Sequence, residues 1–147
     1  MKILPKLESF GYQIYLFPLR RGGQLEDEFI DSGIKICNPN IKYLGLMGRF
    51  KSIFNLCYML FQEKPDIIHY YLPAAYMIGA MCSIFSLKSI RVMSRRSLND
   101  YQKKRPILRF IEYKIHNFMH LVTGNSKAVI KQLQDESIEQ KKNKTDL

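Results

Sequence analysis

Residues 64–73 read KPDIIHYYLP, and the parsing of this stretch decides the fold. From Ile67 to Leu87 the chain carries no Asp, Glu, Lys or Arg, and about 20 such residues are enough to cross a bilayer. Pro73 argues against one continuous helix, because an interior proline removes a backbone donor and clashes with the preceding turn. In the first turn of a helix the same residue is favoured. The stretch therefore divides into a charged turn (Glu63 to Asp66), a strand (DIIHYY) and a new helix that starts at Pro73. That helix carries Ala74, Ala75, Gly79, Ala80 and Ser83, small residues that permit close packing on a sheet. The segment from Ala74 to Leu87 is too short to span a membrane.

The same alternation extends in both directions. MKILPKLES reads as helix, with Gly11 in the turn, and QIYLF (13–17) as a strand stopped by Pro18. The loop LRRGGQL leads to a helix through LEDEFID that Gly33 stops. IKIC (34–37) is the second strand. An amphipathic helix over 46–62 follows, with Met47, Phe50, Phe54, Cys57 and Phe61 at steps of three and four, largely opposite Arg49, Lys51, Ser52 and Asn55. Downstream of the Pro73 helix lie SIRVMS (89–94), the polar loop RRSLNDYQKK, and a helix from Pro106 with Ile107, Phe110, Ile111, Ile115 and Phe118 on one face. HLVTG (120–124) is the fifth strand, and Ser126 is placed to cap the helix KAVIKQLQDE. Strands alternating with helices predict an α/β domain, a Rossmann-like parallel sheet with helices on both faces. Ligands of such sheets sit beyond the carboxyl ends of the strands. Those ends are Leu19–Gly23, Tyr70–Pro73, Ser94–Ser97 and Thr123–Ser126.

A chain of 147 residues with 46% apolar content and a formal charge of +10 is the size of one globular domain. Between Lys88 and Lys114 there are nine basic residues against two acidic, which suits either a solvated face or an anionic partner. The three cysteines are widely spaced and form no CxxC pair, so they read as small buried hydrophobes in a reducing compartment. The first residues lack the apolar core of a signal peptide. No metal-ligand cluster, GxxxxGK phosphate loop or Ser-His-Asp set is visible, and no cofactor or metal is expected.

Four segments, in order, carry a resemblance: FGYQIYLFPLRRGGQLEDEFIDSGIKI, KPDIIHYYLPAAYMIGAM, VMSRRSLNDY and LVTGNSKAVIKQL. Together they resemble the N-terminal domain of the family 4 glycosyltransferases, which have the GT-B fold. The resemblance implies part of a retaining enzyme that moves a sugar from a nucleotide-sugar donor to a glycan or lipid-linked acceptor in cell-surface polysaccharide or lipopolysaccharide assembly. It divides the chain into an acceptor-side domain over 1–136, without its first strand, and a polar tail over 137–147 leading toward a donor-binding domain. The chain alone is expected to be inactive.

The resemblance and the strand ends nominate His69, Tyr71, Arg95, Arg96, Ser97, Asn125, Ser126, Gly22 and Gly23 as substrate-binding residues, with none catalytic. Alternation puts His69 and Tyr71 on one side of their strand, where hydroxyl and imidazole groups suit sugar hydroxyls. Relatives often place a second histidine where this chain has Tyr71. Guanidinium groups such as Arg95 and Arg96 suit phosphate. His116 and His120 are read as non-catalytic, and Asp66 as lying at the amino end of its strand. The expected partners are the donor, the acceptor and an anionic membrane surface under the basic segment, with no nucleic acid. The expected location is cytoplasmic, peripheral on the inner face of the plasma membrane. Two alternatives stay open: a basic α/β module that binds phosphorylated ligand or nucleic acid, and a small integral membrane protein.

Overall fold

The computed structural model describes residues 3–19, 23, 26–37, 46–98 and 106–145. The chain forms two compact units, Met1–Glu63 and Lys64–Leu147.

In the first unit, α1 (Ile3–Ser9), β1 (Tyr15–Leu16), α2 (Glu26–Asp31), β2 (Lys35–Ile36) and α3 (Leu46–Glu63) follow in order. The strands pair in parallel, Tyr15 opposite Lys35 and Leu16 opposite Ile36. Both short helices end on a left-handed glycine. Gly33, at φ 80°, donates to the Ile30 carbonyl while Ile34 donates to Phe29. Gly11, at φ 86°, does the same with Glu8 while Tyr12 donates to Leu7. This pair of bonds satisfies carbonyls that a helix end otherwise leaves open, and glycine takes the positive φ without steric cost. Glu63 ties the end of α3 to the strands. It accepts a 2.7 Å bond from the Tyr15 hydroxyl and lies 3.7 Å from Lys35 Nζ.

α3 buries the face opposite to its largest apolar stripe. Ser52, Leu56 and Leu60 are buried, whereas Met47, Phe50, Phe54 and Phe61 are exposed, joined by Tyr58. An amphipathic helix ordinarily turns its apolar stripe inward. Here apolar residues occupy both faces, and the smaller branched side chains take the interior.

The second unit contains β3 (Ile67–Tyr71), α4 (Pro73–Cys82) with a short 3-10 turn over Ser83–Ser86, β4 (Ile90–Arg95), α5 (Pro106–His116), β5 (Leu121–Gly124) and α6 (Lys127–Thr145). The charge-free run is thus a strand and a helix, and among the described residues no helix is long and apolar enough to cross a membrane. The helix α6 also runs through most of the segment read as a polar tail.

The sheet order is β3-β4-β5, all parallel. Register puts Tyr71, Ser94 and Thr123 in one row and Tyr70, Met93 and Val122 in the next. Side chains alternate between faces along a strand, so the second row points into the core with Tyr76, Met77, Ile115 and Met119. Gly79 lets α4 approach Tyr70, which donates a hydrogen bond from its hydroxyl to the Gly79 carbonyl. The opposite face leaves Ile67, Tyr71, Ile90 and Leu121 exposed. The described helices of this unit therefore contact one face of its sheet, and the expectation of helices on both faces is not met within it.

The apolar stripe of α5 is divided, with Ile115 packed against the core. Ile107, Phe110 and Ile111 are exposed, while Glu112 is fully buried. Glu112 meets Arg95 there, whose Nη2 lies 3.4 Å from Glu112 Oε1. A buried guanidinium is stabilised by a carboxylate beside it, and this inward face of α5 supplies one.

Candidate functional site

The site is built on the open face at the carboxyl ends of β3, β4 and β5. His69 and Tyr71 share that face because they are two residues apart in a strand, and their ring centroids are 4.2 Å apart. The Tyr71 hydroxyl lies 3.0 Å from His69 Nδ1, and His69 Nε2 lies 2.7 Å from Ser94 Oγ. Ser94 Oγ in turn lies 2.8 Å from Thr123 Oγ1, which donates to the Met93 carbonyl over 3.4 Å. One hydrogen-bonded chain therefore crosses three strands: Tyr71, His69, Ser94, Thr123. Its outer end is Tyr71, whose side of the sheet is open to solvent. Partial burial of the His69 ring lowers its pKa from the ordinary 6.5, although the residue as a whole stays exposed.

The strand after His69 ends in a constrained turn. Leu72 has φ 73° and ψ 149°, a region that costs a non-glycine residue about 1–3 kcal/mol. Its carbonyl accepts the Tyr76 N–H at 3.0 Å, and Pro73 supplies the preset φ of the first helical turn. Strand and helix are thereby joined by a single residue, which sets Tyr71 at the rim.

Arg96 and Ser97 are exposed just past β4. The Arg96 guanidinium carbon lies 5.9 Å from the centre of the Tyr71 ring. Asn125 joins the ends of β4 and β5, its N–H bonding the Arg95 carbonyl at 3.3 Å and its Nδ2 the Arg96 carbonyl at 3.2 Å. Ser126 caps α6, its Oγ accepting the Val129 N–H at 3.3 Å. Gly124 allows the close approach of α6: a Cβ there would meet Ile130 Cγ1 at 3.0 Å.

Arg95 is elsewhere. It points to the helix-covered face, is 3% exposed, and its Nη1 bonds both carboxylate oxygens of Glu136 at 2.9 Å. His116 Nε2 lies 3.4 Å from Arg95 Nη2. Burial and the Arg95 charge lower the pKa of His116. His116 is thus part of a buried ionic cluster, and His120 accepts the Arg91 N–H through Nδ1 at 3.1 Å. The reading of Arg95 as a phosphate contact is therefore replaced by a structural role, since its charge is already matched by two carboxylates.

Gly23 belongs to the first unit, where its carbonyl accepts the Glu26 N–H at the start of α2, and Gly22 lies outside the described residues. Asp66 precedes β3, and its carbonyl accepts the Ile90 N–H at 2.8 Å. Ser94 and Thr123 are the additional members of the site. Both lie within the strand-end ranges of the sequence, but only the register with Tyr71 singles them out.

Chemically the site offers, among the described residues, hydroxyl and imidazole groups, an exposed aromatic ring and the guanidinium of Arg96. Such a set can match a polyol, whose hydroxyls both donate and accept and whose C–H faces lie against aromatic rings. Among the described residues no group of three or more His, Cys, Asp or Glu is placed to hold a metal ion. No family model, curated protein or solved structure matches the chain.

Proposed function

We propose that the chain is a glycan-acceptor domain of a retaining, nucleotide-sugar-dependent glycosyltransferase, the reading that its sequence resemblance implies. The observation that carries this reading is the Tyr71–His69–Ser94–Thr123 chain at the carboxyl ends of parallel strands, where α/β sheets hold their ligands. Tyr71 and His69 meet the acceptor hydroxyls, and the exposed Arg96 guanidinium near the Tyr71 ring suits a phosphate of a lipid-linked acceptor or of the donor. The donor is held mainly by a second domain. Among the described basic residues between Lys88 and Lys114, Arg91 and Arg95 are buried. They contribute nothing to a surface patch, which weakens the alternative of a nucleic-acid module.

The test is titration of the isotope-labelled chain with a panel of methyl hexopyranosides. Chemical-shift changes confined to residues 69–72, 94–97 and 123–126 are the expected result. Salt-dependent binding of oligonucleotides without response to any glycoside would favour the basic module instead. For the membrane surface, the expected result is binding to vesicles containing anionic lipid that is lost when Lys103, Lys104 and Arg105 are neutralised; those three residues lie outside the described residues.

A further inference from the structure

The hydrogen-bonded chain on the open face has a direction. Its inner end is the Met93 carbonyl, which can only accept, so Thr123 must donate to it. Thr123 then accepts from Ser94, and Ser94 accepts from His69 Nε2–H. Neutral imidazole carries one proton, so Nδ1 is left bare and accepts from the Tyr71 hydroxyl. The acidity of the partners favours the same order, because a phenol is a stronger donor to imidazole than the reverse. Every proton thus points inward, and the lone pairs of the Tyr71 oxygen are what the chain presents at its rim.

We infer that Tyr71 reads a ligand hydroxyl as a hydrogen-bond donor, and that protonation of His69 inverts this preference. A proton taken from solvent at Nδ1 turns that nitrogen into a donor. Tyr71 must then accept from it and rotate its own hydroxyl outward. No covalent bond changes; one proton is gained, and the rim switches from acceptor to donor. Beside His69, β3 brings Tyr71, the end of β4 brings Ser94 and the Arg96 guanidinium 5.9 Å from the Tyr71 ring, and β5 brings Thr123 without a titratable side chain. The depressed pKa of the ring keeps the acceptor state in place at neutral pH.

The inference deepens the glycan-acceptor reading and rests on it for the identity of the ligand. It is tested first on the protein alone, by imidazole nitrogen shifts and the Tyr71 ring-carbon shift as a function of pH. The expected result is an Nε2–H tautomer for His69 at pH 8 and a Tyr71 Cζ shift that follows the His69 titration. An Nδ1–H tautomer, or a Tyr71 shift blind to that titration, overturns the order of the chain whatever binds. The second arm compares methyl hexopyranosides with their monodeoxyfluoro analogues, which cannot donate at the substituted position. At pH 8 one position should prefer hydroxyl over fluorine by roughly three- to tenfold. That preference should shrink below the His69 pKa and vanish in Tyr71→Phe. A preference independent of pH overturns the switch. Failure of every glycoside to bind, with the tautomer as expected, overturns the glycan reading and leaves the order of the chain standing.

Discussion

Gly79 of α4 lies against the edge of the Tyr70 ring in β3: a Cβ added at residue 79 would sit 2.6 Å from Tyr70 Cε1 and 2.7 Å from Cδ1. The ring is buried between the sheet and the helix, so it has nowhere to move. Gly79→Ala gains about 1 kcal/mol of helix propensity but overpacks the core, which costs about 1–3 kcal/mol. The expected net result is a lower urea midpoint, recovered in part by adding Tyr70→Leu. A variant as stable as the parent would place α4 farther from the sheet.

The two arginines after β4 should separate cleanly. Arg95→Ala removes the buried guanidinium that contacts both Glu112 and Glu136, and breaking a buried ion pair costs about 3–5 kcal/mol. Arg96→Ala removes an exposed side chain and should change stability by no more than about 0.5 kcal/mol. Denaturant unfolding of the two variants checks this, and similar losses for both would contradict the buried cluster.

The two faces of α3 give a second contrast. Leu60 is 1% exposed and Phe54 is 70% exposed. Leu60→Ala should cost about 2–5 kcal/mol, whereas Phe54→Gln should fall within about 0.5 kcal/mol. The reverse ranking by thermal or denaturant unfolding would return the aromatic stripe to the core.

Acid should destabilise the fold through its histidines. His69 and His116 both have folded pKa values below the ordinary 6.5. In the unfolded chain they return to that value, so the unfolded state binds more protons as the pH drops below it. The stability they contribute is fully present above pH 6.5 and is lost as pH falls toward the folded pKa values. Unfolding free energies between pH 4 and 8 should decline on the acid side, and His116→Gln should flatten part of that decline. An unchanged slope in the variant would remove His116 from the account.

Much of the architecture is written in local rules. Pro73, Gly11, Gly33 and Ser126 each mark a boundary that the chain obeys, because one residue's backbone freedom or capping oxygen decides it. The pairing of His69 with Tyr71 follows from alternation alone. Helix orientation did not follow. Periodicity reveals that α3 and α5 carry apolar stripes, but the face that turns inward also meets distant partners. For α5 one such partner is Arg95, 17 residues before Glu112. Ser94 and Thr123 are not singled out by local pattern for a related reason: Ser94 meets His69 across 25 residues of sequence and Thr123 meets Ser94 across 29, and only sheet register connects them.

The left-handed Leu72 has a consequence for the order of folding. Its local backbone preference opposes the turn, and its side chain is 62% exposed and contributes little packing. The turn can persist only once β3 and α4 are docked and over-determine it. The turn and the strand end at Tyr71 are therefore among the last parts of the unit to take shape and the first to relax when α4 loosens. Native-state hydrogen exchange should find the Tyr76 amide, bonded to Leu72, opening before the sheet amides of β4. Equal protection of both would mean that the turn stands without the strain.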